Sequence, residues 1–215
     1  MNKLNILYED NHIIVVEKEP NILVQSDSTN DLDMVTLIKK YLKDKYNKPG
    51  NVYLGLVHRL DRPVGGVMLF AKTSKAASRL SEDFRLNKIK RTYVALVHGK
   101  VKESDTLVDY LIKDEKTNTS RIFKDGKEAI LEYKLLNYKD NFSLIEVNLK
   151  TGRHHQIRVQ LSNIGNPIYG DQRYGKDKIG IQIHLYSVEL EFIHPVTKQK
   201  MKFNNYPDWY YKYIK

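Results

Sequence analysis

An α+β fold built on a mixed, largely antiparallel sheet is what this sequence predicts, and three observations carry the prediction. Short runs of β-branched and aromatic residues recur from one end of the chain to the other. Few helical patterns intervene between them. The 215 residues are 41% apolar, enough for one core, so residues 1–215 are expected to form a single domain.

The elements follow in order. Ile6 to Tyr8 and Ile13 to Val16 are short strands turned at Asp10-Asn11; a Pro20-Asn21 turn and a third run, Ile22 to Val24, come next. Asp31 or Asp33 caps a helix over Met34 to Tyr46, in which Met34, Leu37, Ile38, Tyr41 and Leu42 share one face. Val52 to Val57 and Val67 to Ala71 have the composition of buried strands and bound a loop, His58 to Gly66. There Pro63 biases Arg62 toward extended backbone, and Gly65-Gly66 supply the positive φ that turns the chain back.

Thr73 or Ser74 caps a second helix that runs to about Leu86. Ile89 to Gly99 alternates as a strand and places Tyr93 on a rigid element. Ser104 to Lys127 is polar and exposed, a hairpin or an excursion; Ala129 to Asn137 and Phe142 to Leu149 are strands again. Thr151-Gly152 break the second of these, and Ile157, Leu161 and Ile164 then recur at helical spacing up to Gly165. Arg153, His154, His155 and Arg158 therefore sit near a helix start, where backbone N–H groups favour anions such as phosphate. Ile181 to Phe192 forms a further strand, and the aromatic, basic tail from Pro207 to Lys215 a docking helix.

Composition narrows the class. With 36 basic and 26 acidic residues the net charge is +10, which suits a polyanionic partner. No apolar run approaches membrane-spanning length, and the polar start has no signal-peptide core. The absence of Cys removes disulfides and thiolate metal sites. Together these point to the cytoplasm. His154 and His155 are adjacent, but zinc needs three or four convergent ligands and no partner stands at a recognisable spacing, so no metal is expected.

The stretch that organises the chain is VHRLDRPVGGVMLFAK, Val57 to Lys72. It sets one carboxylate, Asp61, between Arg59 and Arg62, whose charges favour its ionised form. Alone, an R-x-D-R sequence is an ordinary ion-pair loop. Its context differs: HRLDRPVGG resembles the catalytic loop of the RluA-type RNA pseudouridine synthases. The departure is Pro63-Val64-Gly65, where a Thr-Ser-Gly run is commoner. KRTYVALVHG, Lys90 to Gly99, is similar to that family's second motif, and TGRHHQIRVQL, Thr151 to Leu161, to its third, with His154 at the variable position. GNPIYGDQRYG and FIHPVTKQKMKF continue the likeness, which covers nearly the whole chain; His184 is followed by Leu185-Tyr186 where a His-Ala pair is usual.

The resemblance implies a sheet with a central RNA-binding cleft, and an isomerase that converts uridine to pseudouridine in ribosomal or transfer RNA without a cofactor. It implies Asp61 as the essential carboxylate, Arg158 as its basic partner and Tyr93 as the residue packed on the target base. Arg62 would fill the space left by the extruded base, with His58, Arg59, Arg153 and His155 as further RNA-binding or bracing residues. It also implies that catalytic-domain sequence already begins at Leu4, with no separate RNA-binding domain ahead of it, and a monomer with RNA and not DNA as its partner. Two rivals stand beside this reading: a non-catalytic RNA-binding protein, and a metal-dependent nuclease, which would need clustered acidic ligands that the sequence does not offer.

Overall fold

The computed structural model describes residues 4–29 and 31–215. Contacts divide them into two compact units, one of Met1–Ile89 with Glu189–Asn205 and one of Lys90–Val188 with Tyr206–Lys215.

In the first unit β1 (Ile6–Glu9) and β2 (Ile13–Lys18) form a hairpin, and β2 pairs antiparallel with β4 (Gly65–Ala71), Ile13 opposite Ala71 and Lys18 opposite Gly66. The hairpin closes because the Asp10 carboxylate accepts the N–H groups of His12 and Ile13. Helix α1 (Met34–Lys45) starts at Asp33, whose side chain accepts the Thr36 N–H, and buries Met34, Ile38 and Leu42. Helix α2 (Ser74–Arg85) is capped by Thr73. Its Ala76 and Leu80 pack with Ile13 and Val15 of β2, Val67 and Leu69 of β4, and Leu190 and Phe192. Every residue of β4 is buried, so both faces of this strand are core.

The second unit is an antiparallel series in the order β5-β9-β8-β6-β7. Its strands are β5 (Lys90–His98), β6 (Ser104–Asp114), β7 (Thr119–Ile122), β8 (Lys127–Lys139) and β9 (Phe142–Leu149). The expected hairpin over 104–127 is the β6–β7 pair. Helix α3 (Gln156–Asn163) lays Val159 against Leu111 of β6 and Ala129 of β8. The tail makes a single turn, α4 (Tyr210–Tyr213), and Tyr206, Trp209 and Tyr210 pack on Val94, Tyr186 and Val188. The strand β10 (Leu185–Ile193) contributes Leu185 to Val188 to this unit and its remaining residues, paired with β11 (Lys200–Asn204), to the first.

The α+β class and the antiparallel sheet stand as expected. Four elements differ. Ile22 to Val24 is no strand; its one bridge is Leu23 to Asp33, because the Leu23 and Val24 carbonyls accept the N–H groups of Met34 and Val35 at the start of α1. The strand before the aspartate loop shrinks to β3, Gly55–Leu56. Gly65 and Gly66 lie inside β4, not in the loop, with Gly66 at φ 134°. Residues 181–184 precede β10, since His184 spends its N–H on Tyr169 and its carbonyl on Leu96.

Candidate active site

Asp61 is half-buried at the start of a four-residue turn that Val64 closes by donating its N–H to the Asp61 carbonyl at 3.0 Å. The reversal therefore falls on Arg62-Pro63 and not on the glycines. Beneath it runs Lys18, the last residue of β2 and 0% exposed. Its Nζ donates to the carbonyls of Glu19 (3.1 Å), Arg62 (2.9 Å) and Val64 (2.8 Å), so all three ammonium protons end on backbone oxygens and two of those belong to the turn. Burial pulls Lys18 down to about 7; the charge of Asp61 favours its protonated form and that of Arg62 opposes it. Asn21, at φ 67°, adds a second tie by donating its N–H to the Arg62 carbonyl at 2.8 Å.

The other loop residues divide by role. His58 stacks on Phe84 with ring centroids 4.6 Å apart, and its Nε2 accepts the Leu69 N–H at 3.0 Å. That acceptor role leaves the imidazole proton on Nδ1 and makes His58 a brace between loop and strand. Arg59 is exposed. Arg62 is exposed too, but latched: Nη2 meets Asp31 at 2.7 Å and Nε donates to the Asn21 carbonyl at 3.2 Å. An ion pair this open to solvent is worth well under about 1 kcal/mol, so the side chain can leave it easily.

Tyr93, Arg158, Arg153 and His155 belong to the second unit. Tyr93 is 7% exposed on β5, opposite Val147 of β9, and rigid on that account. The turn Thr151 to Gln156 is closed by side chains: Thr151 Oγ1 donates to Gln156 Oε1 at 2.8 Å, and the same oxygen accepts the Arg153 N–H at 2.9 Å. A Cβ at Gly152 would strike the guanidinium of Arg91, which would have to shift to admit it. Arg153 is exposed and donates Nε to the Glu128 carbonyl at 2.7 Å. His155 heads α3 at φ 55°, in the left-handed region, and stacks on His154 at 3.7 Å between centroids. Its Nδ1 lies 2.8 Å from the Tyr174 hydroxyl, which also accepts the Ser120 N–H at 2.7 Å.

Arg158 has a carboxylate partner that its own motif does not contain. Asp171, fully buried, accepts Nε at 2.8 Å and Nη2 at 2.7 Å in a bidentate pair. The Tyr174 ring lies 5.2 Å from the same guanidinium. Burial alone would raise the Asp171 carboxyl; Arg158 and the N–H groups of Arg173 and Tyr174 outweigh it and hold the group below the usual carboxylate range.

A family model described as RNA pseudouridylate synthase matches residues 12–163, which include the aspartate turn, Tyr93 and Arg158. The chain belongs to this family. Among curated relatives, the uncharacterised RNA pseudouridine synthase YjbO of Bacillus subtilis is 35% identical over 206 residues, 94% of this chain and 71% of that protein. The ribosomal large subunit pseudouridine synthase C of Buchnera aphidicola (Schizaphis graminum) is 34% identical over 221 residues, covering 97% and 68%. In fold, this synthase is similar to the structure of human RNA pseudouridylate synthase domain containing 4, with a TM-score of 0.80 at 22% identity over 96% of this chain and 90% of that one. It is an isomerase of the pseudouridine synthase class, and no helix among its described residues is long and apolar enough to cross a membrane.

Sequence reasoning passed over Lys18, Arg91, Asp171 and Tyr174. The run GDQRYG was a signal for the last two, since an acid and a tyrosine among glycines and a basic residue mark a structured loop. For Lys18, which ends the apolar run IIVVEK, the sequence holds no cue that the ammonium turns inward.

Proposed function

We propose that this synthase isomerises specific uridines in structured RNA, ribosomal or transfer, with Asp61 as the essential carboxylate and no cofactor, and that residues 1–215 act as one catalytic domain, monomeric and cytoplasmic. The observation that carries the reading is the aspartate turn: a carboxylate left half-buried on a reversal whose neighbouring carbonyls are tied down from below by a buried ammonium. A group held in this way approaches a substrate without rearranging, which is what a reaction at a hindered sugar carbon demands. The relative named as a ribosomal large subunit synthase weighs toward ribosomal RNA.

In the reaction the N1–C1′ bond breaks, the uracil turns in place, C5 bonds to C1′, the C5 proton leaves to water and N1 takes up a proton from water. Asp61 serves by stabilising or trapping the sugar as positive charge develops, by adding to the uracil ring, or by assisting a route through a glycal. Arg158 is assigned as the partner that keeps Asp61 oriented, and Tyr93 as the ring against which the uracil packs. A uridine inside a stem must first be extruded, at a cost of a few kcal/mol. Arg62, on a latch that opens easily, is assigned to the vacated space; Arg59, Arg153 and His155 are assigned to RNA contacts, and His58 to bracing.

The test is tritium release from RNA labelled at uridine C5, taken from cells without the enzyme, in the presence of chelator. Wild type is expected to release tritium and Asp61→Asn to lose at least about 10³-fold in rate while keeping its fold and RNA affinity. Release undiminished in Asp61→Asn would remove Asp61 from the mechanism. Salt-sensitive RNA binding with no release by wild type would favour a binding protein.

A further inference from the structure

The remaining question about Arg158 is what fixes its own direction. A guanidinium on a long side chain can present either of two edges to an anion, and the choice sets where charge is delivered. In this structure one edge is committed. Nε and Nη2 both donate to Asp171, while Tyr174 covers one face of the plane. Asp171 is itself immobile: Oδ1 accepts the N–H of Arg173 at 3.0 Å and of Tyr174 at 3.2 Å, and its carbonyl accepts the Gly175 N–H at 2.9 Å. Tyr174 is pinned in turn, because Ser162 Oγ donates to its carbonyl at 2.7 Å and the Ser120 N–H to its hydroxyl.

We propose that Asp171 is a positioning residue for the isomerisation: by holding the Nε–Nη2 edge of Arg158, it fixes the direction in which that guanidinium acts. The inference rests on the role assigned to Arg158 above. It explains why a fully buried carboxylate is paired with Arg158. It also requires arginine at 158, since a lysine is a point charge with no second edge to anchor.

Asp171→Asn is a local test. An amide oxygen at the Oδ1 position keeps the bonds to Nη2 and to both backbone N–H groups, while the amide NH₂ meets Nε–H donor to donor. Single-turnover tritium release at saturating RNA is expected to fall about 30-fold, with RNA affinity within about threefold of wild type, the size of effect that a misplaced group produces. In an Arg158→Lys background the same substitution should change the rate by less than about twofold, because the residue through which Asp171 acts has gone. Losses that multiply in the double variant, or a single variant as fast as wild type, would overturn the proposal. The Nε–H resonance of Arg158 gives a readout independent of turnover: it should exchange slowly with solvent in wild type and at least about tenfold faster in Asp171→Asn. Unchanged exchange would sink the anchoring itself, whereas fast exchange with no turnover in wild type would locate the failure in the assigned reaction. Should Asp171→Asn not fold, Arg158→Lys alone must show the same loss of rate at preserved affinity; wild-type rate there would refute the proposal.

Discussion

Lys18 in the first unit and Arg158 in the second are buried cations held by opposite means. In the first, Lys18 donates to three backbone carbonyls and, among the described residues, meets no carboxylate in hydrogen-bond contact. In the second, Arg158 is met by a carboxylate fork. Carbonyl dipoles satisfy the donors of an ammonium without neutralising it, so burial still depresses Lys18, to about 7. A carboxylate both satisfies and neutralises. The first arrangement suits a fastener that must grip main chain, because carbonyls are what a turn has to offer. The second suits a side chain whose charge and direction are to be used.

The comparison breaks most sharply at Asp171. Asp171→Ala strips the guanidinium of its bidentate partner inside the protein and is expected to destabilise by about 3–5 kcal/mol in urea unfolding. A loss below about 1 kcal/mol would mean that the pair is solvated and the contrast between the units false.

Lys18→Met comes next, at about 2 kcal/mol: three carbonyls lose their donor, partly offset because an ammonium need no longer be buried. The pH dependence sharpens this. A lysine with a folded value near 7 and an unfolded one near 10.4 leaves the unfolded chain holding the extra proton between those limits, so stability rises with pH across that window and the penalty is full below it. The stability gap between wild type and Lys18→Met should therefore widen from pH 7 to pH 10. A constant gap would show that the carbonyls keep Lys18 charged throughout.

A smaller effect is expected at Glu9, on β1, where the groups are again paired. Burial would raise this carboxyl, but hydrogen bonds from Lys45, Lys72, Tyr46 and Tyr41 outweigh it and hold the group at about 2. The depressed value means that its contribution is complete above the unfolded carboxylate range, near 4.3, and disappears as pH falls toward 2. Glu9→Gln should accordingly lower the melting temperature at pH 7 and converge with wild type near pH 2. The smallest change is expected for Asp31→Asn, under about 0.5 kcal/mol, since its pair with Arg62 is open to water on both sides. Hydrogen exchange of the 61–64 turn should then be unaltered, because main-chain bonds and not this ion pair hold it.

The sequence alone determined whatever depends on neighbours along the chain. Periodicity located α1 and α2 and narrowed their caps to Asp31 or Asp33 and to Thr73 or Ser74, and alternation and strand-like composition found β5, β8 and β9, since these rest on hydrogen bonds and packing within a few residues. The aspartate between two arginines, the tyrosine of β5 and the TGRHHQIR turn were legible for the same reason: each is a local pattern that a family resemblance can match. What only the tertiary structure decided is who holds these groups. Lys18 reaches residues 44 and 46 positions away, and Asp171 lies 13 residues beyond Arg158. Such partners are chosen by the enclosed shape around a side chain and by the demand that buried charge and buried carbonyls be satisfied, neither of which leaves a mark at fixed spacing. The same cause moved the reversal from Gly65-Gly66 to Arg62-Pro63: carbonyls tied from below by Lys18 overrode the local preference of two glycines.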